Sequence, residues 1–267
     1  MTEPVTGRVE LDIDGPVARI TMSNPGKLNA LTYVMFDQLI AACAAVTDAA
    51  ATGDVRVAVL RGDGGRAFAA GTDIAEFTAF GADAAADGVR YEHRTAAMLG
   101  AVSGLPVPVI AAVEGPAVGN GLALALCCDL VIARDDATFG APVARTLGNC
   151  LSPAVIGRLY AAVGRPRALA LLMTASLADA TAAAASGLVT EVVPAERFGR
   201  HVEDTAARLA ALAPRTLAAF KAADQRVLRA LDSIPADDIF SGCYGSDDFR
   251  EGVAAFLAKR PAKWTGH

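Results

Sequence analysis

The residues best placed to do chemistry in this chain lie in VIAAVEGPAVGNGLALALCCDLVIA, from Val109 to Ala133. Gly115, Gly119 and Gly121 form a tight loop between two apolar runs. Val109–Val113 reads as a buried strand and Leu122–Cys128 as a buried helix. A loop that ends where a helix begins leaves backbone N–H groups without intrahelical acceptors. Such groups suit an anion, or an oxygen that becomes one during a reaction. A dinucleotide site is one reading of Gly119-Asn120-Gly121, with Asp135 beyond the next apolar run, Leu130–Ala133. It fails at the third glycine position, where Leu124 stands and close helix–strand contact wants a small residue. The other reading is an oxyanion pocket, which needs a second donor from elsewhere.

Residues 55–77, VRVAVLRGDGGRAFAAGTDIAEF, supply that donor. Val55–Leu60 is a strand by its β-branched content, and Gly62-Asp63-Gly64-Gly65 is a turn. Ala69-Ala70-Gly71 then puts small residues where another group must come close to the backbone. Together with the glycine loop, this stretch resembles the crotonase superfamily, the enoyl-CoA hydratase/isomerase proteins. Two further segments resemble motifs of that family: Ser23-Asn24-Pro25-Gly26-Lys27-Leu28-Asn29-Ala30-Leu31 near the start, and Ser246 to Arg260 near the end. The resemblance spans nearly the whole chain.

What the resemblance implies is an acyl-CoA thioester as substrate, with no permanently bound cofactor, and an enolate held by two backbone N–H groups. Matched residue by residue, those donors belong to Thr72 and Asn120. Small residues are usual at both places, but a backbone donor tolerates the change provided that Asn120 can adopt the loop geometry. On the coenzyme A side the resemblance points to Lys27 for phosphates, with Leu28 and Ala30 in its loop. The backbone around Arg66, Phe68 and Ala70 would line the nucleotide and pantetheine, and Phe256 and Lys259 could close the site. Equally, Lys27 could be a solvated loop lysine and Phe256 a core residue. The resemblance also sets Asp73 among the coenzyme A-side residues, as a structural hydrogen-bonding group rather than a catalyst, while Glu114 and Asp129 read as structural acids, Asp129 as a buried one.

The chain departs from the family at its acids. A hydratase of this type uses two glutamates as general acid and base around one water. Ala123 and Val143 stand at those two positions. The following stretch, from Ala144 to Ser152, is polar and offers other groups. Arg145 could bind a substrate carboxylate or form an ion pair, and Cys150 could be a nucleophile or an inert buried thiol. His93 could reach the site from its helix or lie on the surface. The expected function is therefore acyl-CoA binding with enolate stabilisation. Its alternatives are a non-catalytic acyl-CoA-binding protein or another chemistry of the family: isomerisation, decarboxylation or retro-aldol cleavage.

These groups need a scaffold. Val9–Ile13 and Val17–Met22 read as a hairpin across Asp14-Gly15, and Thr32 caps an amphipathic helix reaching Ala51. Phe77–Gly88 looks like a mobile Gly/Ala/Asp stretch before a helix over Ala84–Val102. Helices are expected over Ala154–Val163, Pro166–Thr174 and Leu177–Ser186, then a last strand, Leu188–Val193. Only helices follow, broken at Pro214 and Ser233–Pro235. Periodicity implies an α/β core. The resemblance sharpens this to a crotonase-like spiral of ββα turns over residues 1–194, with a helical oligomerisation region over 195–267 that builds a homotrimer or a hexamer.

Composition agrees with a large single core: 267 residues, 53% of them hydrophobic. No uninterrupted apolar run approaches a membrane span, and MTEPVTGRVE has neither the basic nor the apolar part of a signal peptide. A net charge of −5 gives no electrostatic reason to expect nucleic acid. Five cysteines without C-x-x-C spacing suggest reduced thiols and a cytoplasmic location, and His93, His201 and His267 are too scattered to suggest a metal.

Overall fold

Strands that are apolar at every position need partners on both faces, and this requirement organises the fold. The computed structural model describes residues 7–267. Its main sheet is formed by β1 (Arg8–Asp14), β2 (Val17–Ser23), β3 (Val57–Gly62), β4 (Val109–Val113), β6 (Leu130–Arg134) and β9 (Glu191–Val193), in that order. The β1/β2 pair is the antiparallel hairpin expected from the sequence, and every other pairing in this sheet is parallel. Alternation divides the side chains between two cores. Val57, Val59, Ile110, Ala112 and Ile132 face one way, against Phe198, Val202 and Ala206 of helix α8 (Ala195–Ala210). Ala58, Leu60, Val109, Ala111 and Val113 face the other way, into the larger core beneath α1 (Tyr33–Thr52) and α2 (Ala84–Ser103).

A smaller sheet was not legible from periodicity. It consists of β5 (Pro116–Val118), β7 (Thr138–Gly140) and β8 (Ala178–Asp179), in that order. The first pair is parallel and the second antiparallel. Between β5 and β6 runs the short helix α3 (Asn120–Cys127). The helix expected over Leu177–Ser186 is shorter, because Ala178 and Asp179 pair with β7 and Asp179 then caps α7 (Ala180–Ser186). The last strand begins at Glu191, later than expected.

Local chemistry sets the helix ends. Thr32 accepts from the Met35 N–H at the start of α1, and Asp83 from the Ala86 N–H at the start of α2. Ser152 does the same for α5 (Pro153–Val163), and Ser246 for α11 (Asp247–Leu257). Of the Phe77–Gly88 stretch, the first three residues end a short 3₁₀ helix over Ile74–Ala79, which buries Ile74 and Phe77, and Ala84 to Gly88 open α2. Phe77 packs edge-on against Tyr91 of α2 and against Phe249 of α11, at centroid distances of 5.0 and 5.5 Å. That aromatic contact at the start of the stretch is invisible to composition. Beyond β9 come α8, α9 (Pro214–Asp232), α10 (Asp237–Tyr244) and α11. Pro214 opens α9, a position where its missing N–H costs nothing.

Candidate active site

Two loops distant in sequence lie side by side because glycines let them. Strand β5 reaches residues 68–69 through the Pro116 carbonyl, which accepts from the Phe68 and Ala69 N–H groups at 3.1 and 3.2 Å. The Val118 N–H returns a bond to the Ala69 carbonyl at 3.0 Å. A Cβ on Gly121 would lie 2.0 Å from the Ala69 oxygen, so only glycine permits this approach. The turn into α3 falls on Gly119, at φ 56° and ψ −117°, a conformation that side chains oppose. The strained geometry expected of Asn120 is therefore carried by Gly119, and Asn120 is an ordinary first residue of α3. Among the described residues, no acceptor takes the Thr72 or the Asn120 backbone N–H.

The loop of Lys27 to Leu31 runs along the same wall. The Ala70 N–H donates to the Leu28 carbonyl at 3.0 Å, and the Leu31 N–H to the Gly71 carbonyl at 2.8 Å. Asn29 fixes this loop in the left-handed region that asparagine tolerates, at φ 54°. Its side chain donates to the carbonyls of Asp63 and Ala67, at 2.9 and 2.8 Å.

These walls enclose a cavity of about 410 Å³. Of the residues singled out from the sequence, Lys27, Leu28, Ala30, Ala70, Thr72, Asp73, Asn120, Val143, Cys150 and Phe256 line it. Arg66, Phe68, Ala123, Arg145 and Lys259 do not. Phe68 and Ala123 are buried in the core, and Arg66 and Lys259 are exposed. Arg145 is exposed on α4 (Val143–Thr146), and among the described residues no carboxylate stands within ion-pair distance of it. Lys27 is half-exposed, 3.4 Å from Asp73. Asp73 also caps the 3₁₀ helix by accepting from the Ala75 N–H.

Besides Asp73 the cavity is lined by a second acid, one that the family motifs do not mark. Glu92 lines it and is only 6% exposed. The Tyr244 hydroxyl donates to Glu92 Oε1 at 2.5 Å, and the Asn149 amide donates to that hydroxyl at 3.2 Å. Burial pushes the Glu92 carboxyl up to about 7. Its neighbour His93, one step round α2, is exposed and 2.9 Å from Asp237, so it does not serve the site. A signal did exist. Gly88, Tyr91, Thr95 and Leu99 form the buried stripe of α2, and Glu92 is the one acid within it. Gly88 is what admits Tyr244: a Cβ there would lie 2.2 Å from the Tyr244 Cβ.

Other groups resolve more simply. The Cys150 thiol is pushed well above its ordinary range by its hydrogen bond with Cys243 and by burial, which leaves a poor nucleophile. Glu114 pairs with Arg134 at 2.8 Å. Asp129 is exposed rather than buried, accepts from the Val109 N–H, and pairs with Lys221 at 2.6 Å. A larger cavity, about 730 Å³, lies against α9. The Lys221–Asp129 and Arg158–Asp232 pairs line it, and their charges neutralise one another.

The sequence pattern of enoyl-CoA hydratase/isomerase proteins matches residues 12–267. A probable enoyl-CoA hydratase of Rhizobium meliloti is 35% identical, over 95% of this chain and 96% of that protein. One of Rhodobacter capsulatus is 37% identical, over 97% and 98%. Among solved structures, methylmalonyl-CoA decarboxylase in complex with 2-nitronate-propionyl-CoA has a TM-score of 0.86 at 27% identity, over 97% of this chain and 99% of that one. An enoyl-CoA hydratase from Mycobacterium avium subsp. paratuberculosis has a TM-score of 0.82 at 31% identity, over 98% and 100%.

Proposed function

The chain belongs to the enoyl-CoA hydratase/isomerase family, and from that premise we propose that it binds an acyl-CoA in the 410 Å³ cavity and moves a proton on the acyl chain. The thioester oxygen sits between the Thr72 and Asn120 N–H groups, and Glu92 is the proton carrier. One observation carries this reading: two residues whose backbone N–H groups have no acceptor and a buried carboxyl with no cationic partner line the same cavity. Loss of a proton next to a thioester carbonyl makes an enolate, and fixed donors aimed at its oxygen stabilise the charge. A carboxyl poised at about 7 can take and return a proton near neutral pH.

Hydration in the usual manner has no support. It asks for two carboxylates around a water, and Ala123 and Val143 are hydrocarbon at those positions. One carboxyl favours proton transfer, as in double-bond isomerisation. Lys27, at the cavity wall, is the group for coenzyme A phosphates. The exposed Phe220 and Val227 of α9 support assembly into a homotrimer or hexamer.

The test is exchange of acyl α-hydrogens in heavy water, followed by mass spectrometry over a panel of acyl-CoAs. The expected result is enzyme-dependent exchange with at least one of them, accompanied by a rise in melting temperature on binding. Neither exchange nor a thermal shift at millimolar acyl-CoA would overturn the proposal.

A further inference from the structure

The side chains of Thr72, Tyr91 and Asn120 close a hydrogen-bonded ring beside the two backbone donors. Asn120 Nδ2 is 2.9 Å from Thr72 Oγ1 and 3.0 Å from Tyr91 Oη, and those two oxygens are 2.7 Å apart. All three residues line the cavity and are under a tenth exposed.

Counting protons shows that the ring has one to spare. The Asn120 amide has two hydrogens, and its two contacts use both. With the opposite amide orientation the three contacts would share only the two hydroxyl hydrogens, so one pair of oxygens, 2.7, 2.9 or 3.0 Å apart, would face each other with no proton between them. In the orientation observed, the contact between the hydroxyls uses one hydroxyl hydrogen of two. The other has no acceptor in the ring. Thr95, a helical turn beyond Tyr91, has a buried hydroxyl with no partner. Drawing it into the chain would add one hydrogen and one contact and leave the count unchanged.

We propose that this spare hydroxyl proton is a third donor to the substrate oxyanion, alongside the Thr72 and Asn120 N–H groups. It rests on the acyl-CoA reading above. The ring is built on the two residues whose backbones supply the other donors, and all three of its residues line the cavity. Burial raises the Tyr91 phenol above its ordinary range, so the phenol keeps its proton at any working pH.

The count gives an unusual pattern for mutants. Thr72→Val leaves the Tyr91 hydroxyl with a free proton, and Tyr91→Phe leaves the Thr72 hydroxyl with one. Only the double variant leaves the ring with none, and the series is made on a Thr95→Val background so that the neighbouring free hydroxyl cannot substitute. Binding of two probes, propionyl-CoA and 2-nitronate-propionyl-CoA, is measured by calorimetry on the wild type, both single variants and the double. The nitronate carries enolate-like negative charge beside the thioester. Each single variant should lose less than about 3-fold of the preference for the anion, and the double at least about 10-fold more than the singles multiplied together. Restoring a hydroxyl in the double, as Thr72→Ser with Tyr91→Phe, should return the preference to that of the Tyr91→Phe single. A ring that serves only structure gives the reverse: the first break does most of the harm, the second adds little, and both probes weaken alike. That result overturns the third donor and leaves the acyl-CoA reading standing. A wild type that binds neither probe overturns both.

Discussion

Replacing Glu92 with glutamine should make the protein more stable and less active, and the two effects should separate with pH. Glutamine keeps the shape, and its carbonyl can still accept from the Tyr244 hydroxyl that now donates to Glu92 Oε1. What it removes is a charge that burial opposes. The Glu92 carboxyl rises from its ordinary 4.5 to about 7 in the folded protein. At about 1.4 kcal/mol for each pH unit, the buried carboxylate costs about 3 kcal/mol once ionised. The sign follows from proton binding. Between pH 4.5 and about 7 the folded state holds a proton that the unfolded state has released, so stability falls as pH rises through that window. Above about 7 the full cost is present, and below 4.5 it vanishes.

Glu92→Gln should therefore melt close to the wild type at about pH 4.5 and roughly 5 °C higher at about pH 8, for a chain of this size. Calorimetry at matched protein concentration across that range measures it. In the same preparation, α-hydrogen exchange should fall on the order of 100-fold or more, as for loss of an acid–base group. A variant with no pH-dependent gain in stability would refute the buried-charge argument. One that gained stability and kept full exchange would refute the catalytic role.

Crotonyl-CoA hydration should run at least about 100-fold below that of a two-glutamate enzyme, since each acid supplies on the order of 100-fold or more; a spectrophotometric assay at typical hydratase rates would sink the single-carboxyl reading. Gly88→Ala should destabilise the protein by several kcal/mol, on the order of 3, because its Cβ would fall on the Cβ of Tyr244. Its melting curve should drop and the pH dependence due to Glu92 should weaken with it; an unchanged melt would mean that α2 and α10 shift apart freely.

Much of the fold was legible because its signals are local. Asp14-Gly15 marks the hairpin, Thr32 caps α1, and Val109–Val113 is a strand to the residue. The small sheet escaped because β5 and β7 are three residues each, too short for alternation to show. The packing of Phe77 escaped because its partners, Tyr91 and Phe249, are brought to it only by folding. Glu92 escaped for the same kind of reason. Its partner Tyr244 is 152 residues away, and the motif places acids on α3 and after β7. The backbone donors were readable from glycine spacing, which is a local property. The side chains that complete the site belong to α2 and α10 and are joined only by folding.

On the proposed reading, an acid on α2 in place of the two of the family motif changes the reaction that the cavity can support. Two carboxylates on the α3 and β7 side would hold a water between them and deliver its parts to neighbouring carbons. Here that side is Ala123, sealed in the core, and Val143, at the cavity wall. Neither can orient a water. The other lining carboxylate, Asp73, faces Lys27 and the Ala75 N–H, so it is already engaged. Glu92 stands on the α2 wall with Tyr244 as its hydrogen-bond partner, and its raised affinity is what the proposed role, holding a proton between removal and return, requires. A lone carboxyl of that kind can redistribute a proton within the acyl chain but has no partner with which to split water. The fold is thus that of the family, while on the proposed reading the one buried carboxyl of the cavity favours proton transfer over addition.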